Sequence, residues 1–96
     1  MRWTWDEAKN RGNRRRHGLG FETAVLVFDD PLALSLEDPH PGEARWRTVG
    51  RVGPLMLFVV HSWPELDLET GEEVGRIISA RKATRRERRA YEEGLA

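Results

Sequence analysis

The stretch RWRTVGRVGPLMLFVVH, residues 45–61, decides how this chain folds. Its first half alternates with period two. Arg45, Arg47, Val49 and Arg51 fall on one side of a strand, and Trp46, Thr48, Gly50 and Val52 on the other. Val52-Gly53-Pro54 breaks the alternation with residues suited to a hairpin turn. Leu55 to His61 follows and is apolar on both sides, as expected of a strand covered on both faces in the middle of a sheet. Three arginines in register make a cationic surface of the kind that tracks a nucleic-acid backbone, which marks Arg45, Arg47 and Arg51 as candidate contacts. The competing reading is a solvent-facing strand whose arginines pair with carboxylates across the sheet. His61 ends the central strand. If its ring reaches the arginine side, it is the side chain best suited to proton transfer near neutral pH; otherwise it is a hydrogen-bonded histidine at the sheet's end.

Working outward toward the N-terminus, the loop Asp38 to Gly42 carries an exposed His40, and Leu32 to Leu36 reads as a strand. Phe21 to Phe28 repeats apolar residues at helical spacing and is stopped by Asp29-Asp30-Pro31. Before it, Asp6 suits an N-cap, Lys9 to Arg16 a helix, and Gly18 the left-handed closing position, with His17 as a helix-end cation. Trp3-Thr4-Trp5 suits a short edge strand.

On the C-terminal side, Pro64 to Glu73 is an acidic loop and Val74 to Ala80 a last strand. Alternation puts Arg76 and Arg81 on opposite sides of a regular strand, so either one of them is structural or Arg81 lies past the strand's end, where alternation lapses. Thr84 with Glu87 matches a capping box opening a final helix that carries Arg85, Arg88 and Tyr91. Arg85 and Arg88 are candidate RNA contacts, against the reading of a solvated basic helix with Tyr91 tucked onto the core. The predicted architecture is one α+β domain over 1–96: a small antiparallel sheet of about four strands, packed by two N-terminal helices and one C-terminal helix.

Composition narrows the function. The 96 residues contain no cysteine, which excludes disulfides and thiolate metal sites, and the three scattered histidines suit no common metal motif. The apolar run Leu55–Val60 is too short to span a bilayer, and no leader-like segment follows Met1, so a whole, cytoplasmic protein without membrane contact is expected. Zero net charge conceals blocks. Residues 18–44 hold six acids (Glu22, Asp29, Asp30, Glu37, Asp38, Glu43) and no Lys or Arg, between basic segments at 2–17 and 76–96. Fourteen of the sixteen cations are arginine, the residue suited to bidentate phosphate contacts.

Several stretches together resemble the BrnT-type toxins. They are Trp5-Asp6-x-x-Lys9, Asn13-x-x-x-His17-Gly18-x-x-Phe21-Glu22-x-Ala24, Phe28-Asp29-Asp30-Pro31, Gly42-Glu43-x-Arg45-Trp46 with Gly50, and Arg76-x-Ile78-Ser79-Ala80-Arg81-x-Ala83-Thr84-x-x-Glu87-x-x-x-Tyr91. The resemblance covers Trp5 to Tyr91, with the blocks in family order. It implies a RelE-like fold, a metal-independent ribonuclease without cofactor that arrests growth, and a cognate ribbon-helix-helix antitoxin. With that antitoxin the chain would form a heterotetramer that meets operator DNA only through the antitoxin. By the same resemblance Arg45, Arg76 and Arg81 are motif arginines, and Glu87 and Tyr91 belong to the last helix, whereas Arg47 and Arg51 rest on periodicity alone. The expected catalytic set is Arg45, His61, Arg76, Arg81 and Tyr91, with Arg45 and Arg81 on one phosphate. The chain departs from the family pattern in its longer loop Pro64 to Glu73, at the implied substrate rim. A non-catalytic nucleic-acid binder and a protein-interaction module are the alternatives.

Overall fold

The structure is a computed structural model that describes residues 1–94. In chain order its elements are β1 (Arg2–Thr4), α1 (Glu7–His17), α2 (Phe21–Ala24), a 3₁₀ helix (Val25–Asp29), β2 (Leu34–Asp38), β3 (Arg45–Val52), β4 (Leu55–His61), β5 (Glu65–Leu66), β6 (Glu73–Lys82) and α3 (Arg85–Glu93). β3 and β4 form the predicted antiparallel hairpin, with Val49 opposite Phe58 and the left-handed Gly53 (φ 56°) in its turn. Strand order β1-β6-β4-β3-β2 puts the doubly apolar β4 at the centre, as its composition demanded.

The α+β class stands, but the expected strand count and helix arrangement need correction. Six strands, not about four, make up the sheet among the described residues. The short edge strand expected at Trp3–Trp5 is β1, one residue earlier at Arg2–Thr4, and it joins the same sheet by running parallel to β6. β5, a two-residue strand inside the acidic loop, was not foreseen, since a segment that short displays no measurable period. The second predicted helix is a single α-turn, Phe21–Ala24, that tightens into 3₁₀ geometry through Asp29. The three helices do not share one layer either. α1, α2 and the 3₁₀ helix cover one face, where the core of Leu19, Phe21, Val27, Leu57, Val59 and Ile77 lies, whereas α3 crosses the other face above β3.

α1 has no apolar stripe and docks by another route. The Asn13 amide donates to the carbonyls of Leu19 and Ala80, both at 2.8 Å, and its oxygen accepts from the Ala80 N–H. The Asn10 oxygen accepts from the Phe21 N–H at 2.8 Å. Both asparagines are buried, so these bonds satisfy backbone groups that would otherwise be stranded without water. The helix ends follow the sequence: the Asp6 carboxylate accepts from the Ala8 and Lys9 N–H groups, and Gly18 closes the helix at φ 66°.

β6 holds the irregularity that positions the site. Val60 pairs with Ser79, but His61 pairs with Ile77, so Ile78 is an extra residue in a β-bulge. Gly75 and Ile77 face the core, and a Cβ on Gly75 would lie 2.4 Å from the Trp3 ring. The extra residue resets the alternation, so Arg76, Ser79 and Arg81 all face away from the core.

Candidate functional site

The face of the sheet turned from the core carries the arginines in rows. Register aligns Arg81, Phe58, Val49 and Leu34 in one row, and Ser79, Val60, Arg47 and Leu36 in the next. Beyond them come Arg76, Ser62, Arg45 and Asp38: the Ser62 N–H donates to the Arg76 carbonyl at 2.9 Å, and Arg45 pairs with Asp38. Arg76 and Arg81 therefore do share a face. The expected escape, with Arg81 past the strand's end, is wrong, because β6 runs on to Lys82 and the bulge does the work instead.

Glu43 organises the outer row. Its carboxylate accepts from Nε and Nη2 of Arg45 at 3.3 and 3.2 Å on one oxygen and from Arg76 Nη2 on the other. Burial pushes the Glu43 carboxyl up, but the hydrogen bond from Arg45 and the charge of Arg76 outweigh it and hold the group below its ordinary range. Two guanidiniums from different strands are thus already drawn around one anion.

A second centre lies toward α3. Arg81 donates to both Glu87 oxygens, at 2.8 and 2.9 Å, and stacks 4.0 Å above the Phe58 ring. Glu87 also closes the capping box on Thr84, so one carboxylate fixes both the helix start and the arginine. Four residues along the strands and two strands across separate Arg81 from Arg45, roughly 16 Å between backbones. The expectation that these two hold a single phosphate is corrected accordingly: they share a face, not a pocket. Between the centres, Arg47 lies 3.7 Å from Asp38 and lines a cavity of about 370 Å³ under α3, with Val49, Phe58, Arg86 and Ala90.

Tyr91 and Arg51 sit at the far end from Glu43. The Tyr91 hydroxyl donates to Asp30 at 2.7 Å, a bond that raises its own pKa, and Arg51 lies 6.0 Å from its ring while its N–H donates to the same carboxylate. Tyr91 thus ties α3 to the turn after the 3₁₀ helix and is not placed beside Arg45 or Arg76. Arg85 and Arg88 are exposed, off the side of α3 on which Glu87, Ala90 and Tyr91 are partly covered. Arg86, which sequence reasoning passed over, is the helix arginine lining the cavity.

His61 does not reach the arginine face. It points into the core face at 1% exposure, between Trp3 and Phe28, whose rings meet it edge-on at 5.3 and 4.8 Å. Nδ1 lies 2.7 Å from the Ser62 carbonyl, which only accepts, so Nδ1 carries the proton. Nε2 then accepts from the Thr48 hydroxyl at 2.6 Å, and Thr48 in turn meets Ser35 at 2.7 Å. Burial lowers the His61 pKa, favouring the neutral ring. The reason is parity: His61 pairs with Trp46, on the side of β3 opposite to its arginines.

Glu43 and Phe58 were missed as site residues. The signal for Glu43 was its place two residues before Arg45 in the motif Gly42-Glu43-x-Arg45-Trp46; Phe58 was hidden by being apolar in a strand expected to be covered on both faces. Compared with known proteins, residues 5–87 match the family described as ribonuclease toxin, BrnT, of type II toxin-antitoxin system. No curated protein matches the chain.

Proposed function

The chain belongs to the BrnT ribonuclease toxins of type II toxin–antitoxin systems, and from that premise we propose that it cuts single-stranded RNA by metal-independent transesterification on the arginine face of its sheet. The observation that carries the reading is the bulge at Ile78, which brings Arg76 round to Arg45 about the anionic Glu43. A backbone phosphate would take the place of that carboxylate between the two guanidiniums. The adjacent 2′-hydroxyl attacks phosphorus, and the phosphorus–O5′ bond breaks, leaving a cyclic phosphate and a 5′-hydroxyl. Glu43, released from its ion pairs and so returned toward ordinary basicity, takes the 2′-hydroxyl proton, and water protonates the departing oxygen. Arg81 and Arg47 hold flanking phosphates farther along the strand, with Arg86 beside them. His61 and Tyr91 serve the fold in this reading.

A type II toxin has a protein antitoxin as partner; here we take it to be of ribbon-helix-helix type, forming a heterotetramer that touches operator DNA only through the antitoxin, in the cytoplasm. Among the described residues no helix is long and apolar enough to cross a membrane. The test uses purified chain and a short RNA. Cleavage is expected to persist in EDTA, to stop when the nucleotide at the cut is 2′-deoxy or 2′-O-methyl, and to leave cyclic phosphate ends. Loss of activity in EDTA would overturn the metal-independent step, and cleavage of DNA would overturn the attack by the 2′-hydroxyl.

A further inference from the structure

Beside the Glu43 cluster stands an aromatic side chain that the proposed mechanism leaves unused. Trp63 is 54% exposed although it is a large apolar residue. Its ring rests against Trp46, which lies on the side of β3 opposite to Arg45, at a centroid distance of 4.4 Å and 43° between planes. It therefore stands at the end of the sheet and borders both faces, with Trp3, Phe28 and His61 on one side. Its backbone is restrained as well: Pro64 follows it, and the preceding Ser62 is bonded to Arg76 twice, through its N–H and through its Oγ, which accepts the Arg76 N–H at 2.9 Å. Trp63 also lines a cavity of about 350 Å³ with Glu43, Ser62, Glu65, Gly75 and Arg76.

Resting on the ribonuclease reading, we propose that Trp63 is the stacking platform for a nucleobase of the RNA, next to the phosphate bound by Arg45 and Arg76. A flat, rigid π-face beside a guanidinium pair fits the two parts of a nucleotide: the phosphate seeks the cations, and the splayed base stacks on the ring. Charge decides against a second phosphate in the cavity. Glu43 and Glu65 rim it with carboxylates, which repel phosphate, and Glu65, which has no part in the proposed step, would accept N–H groups from a base edge.

The experiment measures binding of a short, uncleavable 2′-O-methyl oligonucleotide at low salt, as single strand and as duplex. Trp63→Ala should weaken single-strand binding about 10-fold or more, the range for losing one base stack on an aromatic ring, and Trp63→Phe should recover most of it. Duplex binding should be unchanged, because paired bases are not available to stack. With cleavable RNA the loss should fall on KM more than on kcat. Should Trp63→Ala fold poorly, the fluorescence of the folded wild type should be quenched by the single strand and that of Trp63→Phe much less. Equal affinity of wild type and Trp63→Ala, equal quenching of wild type and Trp63→Phe, or a loss shared by duplex and single strand, overturns the platform. If cleavage stays intact in that event, the ribonuclease reading survives. Wild-type protein that neither binds nor cuts single-stranded RNA overturns both. Weakened antitoxin binding with unchanged RNA affinity would reassign the ring to the protein partner.

Discussion

The two faces of the sheet are made from the same strands and treat polar groups in opposite ways. On the core face, Ser35, Thr48, His61 and the Ser62 carbonyl form a hydrogen-bonded chain walled in by Trp3 and Phe28. On the other face, Arg45, Arg47, Arg76 and Arg81 pair with Glu43, Asp38 and Glu87 at the edge of solvent. On the core face, the bond between Thr48 and His61 is permanent, because both side chains are buried and no water can replace a lost partner. Bonds on the arginine face are exchangeable, because an incoming phosphate offers a guanidinium the same geometry as a carboxylate. Histidine's chemical versatility made it the obvious candidate for proton transfer, yet burial has turned it into a structural link.

The comparison breaks most sharply at the arginine pair. Arg45→Ala or Arg76→Ala should lower kcat for RNA cleavage about 10²- to 10³-fold, the usual cost of removing one donor to a charged transition state, while thermal melting stays close to wild type. A melting temperature that collapses along with activity would make these arginines structural. His61→Gln should give the opposite pattern, with roughly 1–3 kcal/mol lost in denaturant unfolding and cleavage by the folded fraction retained. A 10²- to 10⁴-fold drop in kcat without loss of stability would restore His61 as proton donor or acceptor.

Gly75→Ala sets a Cβ against the Trp3 ring and should cost about 1–3 kcal/mol by overpacking, read from the same unfolding curves; no change would mean that Trp3 shifts freely. Acid titration sharpens the contrast further. The folded pKa of His61 lies below its ordinary 6.5, so the unfolded chain binds that proton first, and the contribution of His61 is whole above pH 6.5 and shrinks as pH falls beneath it. The Asp30 carboxyl is raised by burial but lowered more by bonds from the Arg51 N–H, Tyr91 and Leu32, so its contribution is present above the ordinary 3.8 and lost only as pH drops further. Stability should therefore fall in two stages on acidification, and His61→Gln should lack the earlier one. The smallest effect belongs to Tyr91→Phe, about 1 kcal/mol of stability through the lost bond to Asp30, with cleavage unaltered.

How far the sequence could be read depended on the length of the pattern. The β3–β4 hairpin, its turn, the centrality of β4 and both helix caps at Asp6 and Thr84 were legible, because each rests on a local rule with several residues to express it. The edge strand near Trp3 was legible too, though not its parallel pairing with β6; the two-residue β5 was not, and neither was the docking of α1 by Asn10 and Asn13. At the candidate site, the grouping of Arg45 and Arg47 on one face followed from alternation. The bulge did not, since nothing in Arg76-Ile77-Ile78-Ser79-Ala80-Arg81 announces which residue goes unpaired. Pairing His61 with the arginines failed because placing two strands side by side does not say which of their faces coincide until register is known.

The unpaired Ile78 has a consequence for how this strand tolerates change. Removing that one residue would leave an ordinary ladder and would keep Arg76 on the outer face, because Arg76 and Arg81 would then stand four positions apart in a regular strand. Keeping the residue but pairing it regularly, without the bulge, would turn everything before it by half a turn, Arg76 inward and Gly75 outward. Substitutions along β6 alter one side chain each, but a slip of register there exchanges inside for outside. The parity of pairing between Arg76 and Arg81 therefore matters more than the identity of most residues between them.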